Sequence, residues 1–185
     1  MSSRATVVAA VVALSLACGG PDTSPFFLWS IRPGMQLDSV EQFFRRRDQL
    51  RPGEPVWERC DQMEGARRCV RKTVSPGGVL NVVASSDGRV LYLGFAPGTR
   101  DTIFDDSLTA MQRRWVRAGK VKLDAHGVSE ASPWGVAEMS SGRWRALMTF
   151  DGRPCAGTID RLCVALVQLV DWRAGRQYAN MSVPR

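Results

Sequence analysis

Four cysteines in the body of the chain have the type and spacing that best fit a chemical role: Cys60, Cys69, Cys155 and Cys163. They form two close pairs, and the chain has one histidine and no Cys-x-x-Cys sequence. Structural zinc needs closely spaced Cys and His ligands, so we expect no metal and no other cofactor. Four cysteines allow three disulfide pairings. We favour Cys60–Cys69 and Cys155–Cys163, because neither pair needs distant strands to be in register.

Acid–base catalysis has two weak candidates. Asp124 and His126 lie close together in the polar stretch Asp124–Pro133, which we predict to be a loop, and Asp105-Asp106 supplies adjacent carboxylates. No Gly-x-Ser-x-Gly or comparable nucleophile sequence accompanies the histidine. The two aspartates fall in the first turn of a predicted helix, where acidic groups favour the helix dipole. A small hydrolase built on Asp124 and His126 is therefore the least supported interpretation, and we predict no catalytic residues.

An apolar run near the N-terminus predicts export. Arg4 precedes the almost wholly apolar stretch 5–16, and small residues follow it. This is the layout of a secretory signal peptide, which we place at residues 1–17. A membrane-spanning helix needs about 20 apolar residues, so the run is too short to be one. Export to an oxidising compartment also suits disulfide formation.

The stretch from Leu14 to Cys18 resembles the lipobox of bacterial lipoproteins, in which the cysteine is acylated and becomes the mature N-terminus. Five cysteines are an odd number for an exported chain, and lipidation of Cys18 leaves four that can all pair. Ser15 stands where Leu is usual in a lipobox, so cleavage by an ordinary signal peptidase after Ala17 stays open. The resemblance implies a membrane anchor at Cys18, followed by a tether through residue 29.

Hydrophobic periodicity predicts the folded body. Apolar residues at helical spacing indicate helices at 37–48 and 103–118, with strands between and after them. We predict one α+β domain over 30–172, with two helices packed on one face of an antiparallel sheet of six to seven strands. Its halves, 30–98 and 99–172, are faintly alike and suggest a degenerate tandem of helix-plus-hairpin units. The tail 173–185 is expected to fray.

Two segments carry a family resemblance. Ile31–Val40, followed by strands that end in Asp87-Gly88-Arg89-Val90, is similar to the BamE-type small outer-membrane lipoproteins. The same helix-plus-hairpins unit, doubled, occurs in the β-lactamase-inhibitor proteins. The resemblance covers about residues 30–95 and implies a sheet that is used for contact with another protein, without catalysis.

The charge pattern bears on the partner. The net charge is +7, and most basic residues are arginines that are scattered along the chain. Arg45–Arg47 is the only run of three and fits the end of a helix. Nucleic-acid binding usually needs a clustered basic surface, so we do not expect it.

One strand suggests where a partner would bind. On the segment Arg143–Phe150, Trp144 alternates with apolar residues on one side, which we predict to be core. The other side is mixed in character and is the predicted binding surface: Arg143, Arg145, Leu147 and Thr149. We therefore expect a non-catalytic, lipid-anchored cell-envelope protein, outer-membrane or surface-exposed, that binds an unknown envelope protein. The alternative is a soluble secreted inhibitor of another protein, which requires that Cys18 is not acylated.

Overall fold

A computed structural model describes residues 23–74, 77–98, 122–126, 134–154 and 162–179. For 122–126, 134–137, 150–154 and 162–165 only the backbone is considered. These ranges contain the α-helix α1, Leu37–Arg47, and a 3₁₀ turn at Arg176–Tyr178. They also contain eight strands: β1 Arg59–Met63, β2 Ala66–Val74, β3 Gly77–Ser85, β4 Val90–Pro97, β5 Lys122–His126, β6 Trp134–Ser141, β7 Trp144–Pro154 and β8 Leu162–Asp171.

The strands form one antiparallel sheet in the order β1-β2-β3-β4-β8-β7-β6-β5. Each run of four consecutive strands is a meander in which every strand pairs with the next along the chain. The two meanders meet where β4 pairs with β8. The last strand of each half therefore lies at the centre, and β1 and β5 form the two edges.

The predicted fold class is wrong. Two helices on a sheet of six to seven strands were expected, but the described residues contain one α-helix and an eight-stranded sheet, and strand dominates. The helix predicted at 103–118 lies outside the described residues. The polar stretch that was predicted as a loop from Asp124 instead begins within β5. An edge strand pairs on one side only and tolerates polar residues, so composition alone misplaces it.

The helix predicted at 37–48 is confirmed within one residue as α1. Its buried residues, Leu37, Val40 and Phe44, fall on one face. Gln36 makes no side-chain cap, and the backbone N–H of Leu37 instead donates to Gly88 O at 2.8 Å. The β3–β4 turn thus satisfies a donor that helix starts normally leave unpaired.

Two side chains, Trp57 and Arg71, hold α1 in place. The indole N–H of Trp57 donates to Glu41 at 2.6 Å. The guanidinium of Arg71 pairs with Asp48 at 2.5 Å and also donates to the Val56 carbonyl. The guanidinium carbon of Arg71 lies 4.9 Å from the centre of the Phe44 ring. Because the Arg71 side chain is only 11% exposed, these contacts are shielded from water and hold the helix end in place.

The two segments that carry the family resemblance lie side by side. Gly34 N donates to Val90 O, and Val90 N donates to Met35 O, both at 2.8 Å. The intervening turn has Gly88 at φ +82°, a conformation that favours glycine. Asp87 and Gly88 therefore form the turn of the β3–β4 hairpin, and this turn anchors the chain just before α1.

The core lies mainly between α1 and the sheet. Phe44 belongs to one buried cluster with residues of both meanders, including Leu93 and Leu169 of the central strands. Trp144, Ala146 and Met148 are at most 2% exposed, so the prediction that this side of β7 is core is confirmed. A smaller cluster around Tyr92, Val170 and Tyr178 lies on the opposite side of the sheet.

Both predicted boundaries of the domain need correction. Residues 18–29 were expected to be a tether, yet Phe26 is fully buried and Leu28 is 2% exposed. The tail from 173 was expected to fray, but Tyr178 is 7% exposed and packs on the sheet. In both segments one or two large apolar side chains bring an otherwise turn-rich stretch into the core. The packed body therefore reaches at least from Ser24 to Ala179.

The predicted disulfide Cys60–Cys69 is present. The two cysteines are directly opposite each other in the β1–β2 ladder, with Cα atoms 4.1 Å apart. The bond fastens the edge strand β1 to the sheet. Cys155 lies outside the described residues, so the second pairing stays a prediction. Within the described ranges, no helix is both long enough and apolar enough to cross a membrane.

Candidate functional site

Three of the four predicted binding residues, Arg145, Leu147 and Thr149, lie on the side of the sheet opposite α1, which we call the helix-free face. Arg143 precedes β7, and Arg145, Leu147 and Thr149 alternate along it with the buried set that begins at Trp144. All four are half-buried. The alternation of strand side chains thus places Arg145, Leu147 and Thr149 together, as predicted. Arg143 lies in the turn before β7, and its partners Trp144 and Asp171 are paired on the α1 side, so it does not join them.

Arg143 is held by a buried carboxylate. Its Nε lies 3.3 Å from Asp171 Oδ2, and the Asp171 side chain is only 6% exposed. The guanidinium carbon also lies 4.4 Å from the centre of the Trp144 ring. A buried carboxylate is costly without a cationic partner. Reversing the charge at Arg143 would therefore disturb the fold as well as the surface.

Arg145 is held by three contacts. Its Nε lies 3.3 Å from Glu138 Oε1 on β6. Its NH1 donates to the carbonyls of Gly142 at 2.8 Å and Trp144 at 2.9 Å. These bonds fix the guanidinium above the β6–β7 turn while leaving a quarter of the side chain exposed. Arg145 is thus a rigid, partly accessible cation.

The helix-free face is partly covered by the chain's own C-terminal segment. Leu147 packs at the edge of the cluster that contains Tyr92, Val170 and Tyr178. The predicted architecture, with both helices on one face of the sheet, did not include this covering of the other face. The covered zone lies over the central strands, whereas Arg145 and Thr149 lie on β7, beside that zone.

A buried hydrogen-bond chain supports this covering. The Gln168 amide donates to the Tyr92 hydroxyl at 3.1 Å and to Ala179 O at 2.7 Å. Gly94, paired with Gln168 across the central strands, lies beneath the Tyr92 ring, and a methyl group there would collide with the phenol. Sequence reasoning missed this group. Its signal was one polar residue, Gln168, within the apolar run of β8.

Arg68 and Asn81 form a second polar pair on this face. Arg68 Nε donates to Asn81 Oδ1 at 3.1 Å, and Asn81 is 2% exposed. Asn81, Gly94, Gln168 and Leu147 occupy one row across four neighbouring strands. A continuous row therefore crosses the junction of the two meanders.

Two pKa values are shifted. Burial raises the pKa of Tyr92, and the hydrogen bond from Gln168 and the charge of Arg68 oppose that rise in part. The pKa of Asp87, at the β3–β4 turn, is lowered, mainly by a hydrogen bond from the Ser85 hydroxyl. Asp87 is exposed, and its shift reflects local turn geometry. Burial accounts for the first shift and hydrogen bonds within the turn for the second, so we assign both groups to structure.

The remaining predicted residues do not form a described site. Asp124 and His126 lie in the edge strand β5, where their backbones pair with Glu138 and Val136. Cys18 and Asp105-Asp106 lie outside the described residues. In the part of the chain that the structure describes, no three His, Cys, Asp or Glu side chains are grouped so as to hold a metal.

Comparison with known proteins adds no relative: no family model, curated protein or solved structure matches this chain. The likeness to the BamE-type and β-lactamase-inhibitor units stays a prediction from Ile31–Val40 and the Asp87-Gly88 turn. The interpretation of the site therefore rests on its own geometry.

Substitution of Tyr92 tests the buried hydrogen-bond chain. The unfolded-state pKa is near 10.0 and the folded-state pKa is higher, so the folded protein retains the phenolic proton to higher pH. This contribution to stability is complete below pH 10.0 and is lost as pH rises through the folded-state value. We expect the free energy of unfolding, measured with urea between about pH 9 and pH 11, to fall more steeply for the wild type than for Tyr92→Phe. Parallel curves would contradict burial of the phenol.

Proposed function

We propose that this protein is a lipid-anchored, non-catalytic protein of the cell envelope that binds a partner protein through its helix-free face. One observation carries the proposal: polar side chains on that face are held in place from within. Arg145 is held by Glu138, and Gln168 by the Tyr92 hydroxyl and Ala179 O.

Such fixation favours association. Binding costs about 0.5–1.5 kcal/mol for each flexible side chain that becomes immobilised at an interface. Arg145 is already immobilised by an ion pair and two carbonyls, so much of that cost is met during folding. Arginine is also enriched among the residues that dominate protein interfaces. Leu147 and Thr149 supply the neutral surface around it.

The membrane anchor is supported by the sequence around Cys18. The apolar run, the small residue before the cysteine and the cysteine parity agree with acylation at this site. Among the described residues Ser24 is the first that is buried, and five residues separate it from Cys18 in the sequence, so the lipid would lie close to the folded body. We place the protein at the outer membrane or the cell surface.

Acylation is tested by phase partition and mass spectrometry of the mature protein. Each buried CH₂ contributes about 0.8 kcal/mol, so several acyl chains should carry the protein wholly into the detergent phase. We expect the N-terminal peptide to begin at Cys18 with added acyl mass, and Cys18→Ala to move to the aqueous phase. A membrane-free native protein with an unmodified Cys18 would exclude the anchor and favour a secreted inhibitor.

Partner binding is tested by exchanging the charges of one ion pair. The double variant Glu138→Arg/Arg145→Glu keeps opposite charges together and so should keep the fold, while it reverses the surface pattern. With a photo-crosslinking residue at position 149, we expect the yield of the partner adduct in intact envelopes to fall. A central interface residue is worth about 2 kcal/mol, which is roughly thirtyfold in affinity.

The matched control for this experiment is Arg59→Asp/Asp61→Arg. That pair also lies on the helix-free face, but on the edge strand β1 at a distance from β7, so it tests whether binding is confined to the surface around Arg145. Both side chains are more than half exposed, with 3.7 Å between Arg59 Nε and Asp61 Oδ2. The control should leave the adduct yield unchanged. An undiminished yield from the folded Glu138→Arg/Arg145→Glu variant would refute the proposed binding surface.

A further inference from the structure

Arginine and aromatic side chains meet on the helical side of the molecule, close to the N-terminal segment. The Arg32 guanidinium carbon lies 5.4 Å from the centre of the Phe27 ring. Arg47 lies 4.6 Å from the Trp29 ring centre and 6.0 Å from that of Phe43. Together with the exposed Arg46, these residues form what we call the basic aromatic patch: Phe27, Trp29, Arg32, Phe43, Arg46 and Arg47.

The patch has a rigid support. Trp29 adopts φ +57°, which is uncommon for a large side chain, in a tight turn closed by hydrogen bonds between Leu28 and Ile31. Its ring contacts Phe95 of β4 edge to face, with ring centres 4.9 Å apart. The turn thus holds the half-buried indole of Trp29 against the core, and the guanidinium of Arg47 lies over its ring. Such strained positions persist only where the surrounding packing enforces them.

The helix adds further basic groups beside Trp29. Arg45, Arg46 and Arg47 occupy the last turn of α1, where the helix dipole favours cations. Asp48, which follows them, is paired with Arg71 and with Arg47. A shallow hollow between Phe43, Arg46 and Arg47 is completed by the polar side chains of Ser39 and Gln42. The surface is therefore basic, partly aromatic and preformed.

The position of the patch along the chain suggests what it contacts. Ser24 is 1% exposed and its N–H donates to Pro33 O at 2.8 Å, so the fold holds the chain from this residue onward. Cys18 precedes Ser24 by six residues, which span about 20 Å at most when fully extended. Phe27 and Trp29 follow Ser24 almost directly. An acyl group on Cys18 would therefore keep this surface near the bilayer.

We propose that the basic aromatic patch lies against the anionic phospholipid surface in which the chain is anchored. The inference rests on the proposed lipid anchor and extends it, because it sets the orientation of the domain. Tryptophan is favoured at the interface between lipid and water, and arginine is attracted to anionic headgroups. With α1 toward the bilayer, the helix-free face on the other side of the sheet points into the aqueous compartment and is open to a partner.

The first test uses protein without the lipid anchor, so that any binding to vesicles is due to the basic aromatic patch. Cys18→Ala protein is sedimented with vesicles of phosphatidylcholine, with or without about one-third phosphatidylglycerol. We expect binding to the anionic vesicles only, and loss of binding in high salt, where surface charges are screened. Arg46→Gln in this background should weaken binding about fivefold, since one basic residue near an anionic surface contributes about that factor.

The matched control is Arg173→Gln. Arg173 is also exposed, but it lies on the C-terminal segment that packs against the helix-free face. This variant should bind anionic vesicles as the parent does. Absence of binding to anionic vesicles, or equal weakening by both substitutions, would overturn the proposed patch even if Cys18 proves to be acylated.

The second test uses the acylated protein in the same anionic vesicles. A spin label on the lipid headgroups should broaden the NMR signals of Phe43 and Arg46 much more than that of Arg173. Equal broadening, or stronger broadening at Arg173, would overturn the proposed orientation. Failure of acylation would appear separately, as protein that does not partition into detergent, and would leave the result of the first test unaffected.

Discussion

The pairing of β4 with β8 is the contact on which the rest of the structure depends. Four residue pairs form it, from Tyr92 opposite Val170 to Phe95 opposite Val167, and it is where the two meanders join. Both strands are buried on both faces here, as expected for central strands between two packed layers. Without this junction each meander would expose an apolar edge, and the core beneath α1 would lose Leu169.

The junction also determines the two surfaces to which we assign function. Leu93 and Leu169 point toward α1 and belong to the core beneath the helix. Tyr92 and Gln168 point the other way. The Gln168 amide donates to the Tyr92 hydroxyl and also to Ala179 O, and the second of these bonds holds the C-terminal segment on the helix-free face. One side thus carries the N-terminal segment with its basic aromatic patch, and the other carries the fixed Arg145 of β7. The proposed division between a membrane side and a partner side follows from this arrangement.

Local signals predicted individual elements of the structure, although the predicted fold class was wrong. Alternation indicated the strands and the buried side of β7, helical spacing indicated α1, and two cysteines in a short hairpin indicated their disulfide. The junction of β4 with β8 had no such signal, because the two strands are far apart in sequence and either apolar run could pair elsewhere. The polar composition of β5 led to the prediction of a loop there. The tail was predicted to fray, but burial of Tyr178 outweighs the local preference for turns. Of the site, the residues of β7 were predictable, whereas their partners Glu138 and Asp171 required the register.

Backbone NMR of the mature protein tests the central claim most directly. In an isotopically labelled sample, we expect cross-strand nuclear Overhauser contacts that link Leu93 with Leu169 and Gly94 with Gln168, as the antiparallel register requires. The amides at this junction should also be among the slowest to exchange with solvent, because they lie at the centre of the sheet. Contacts of β4 with any other strand in place of β8 would contradict the single eight-stranded sheet, and with it the helix-free face.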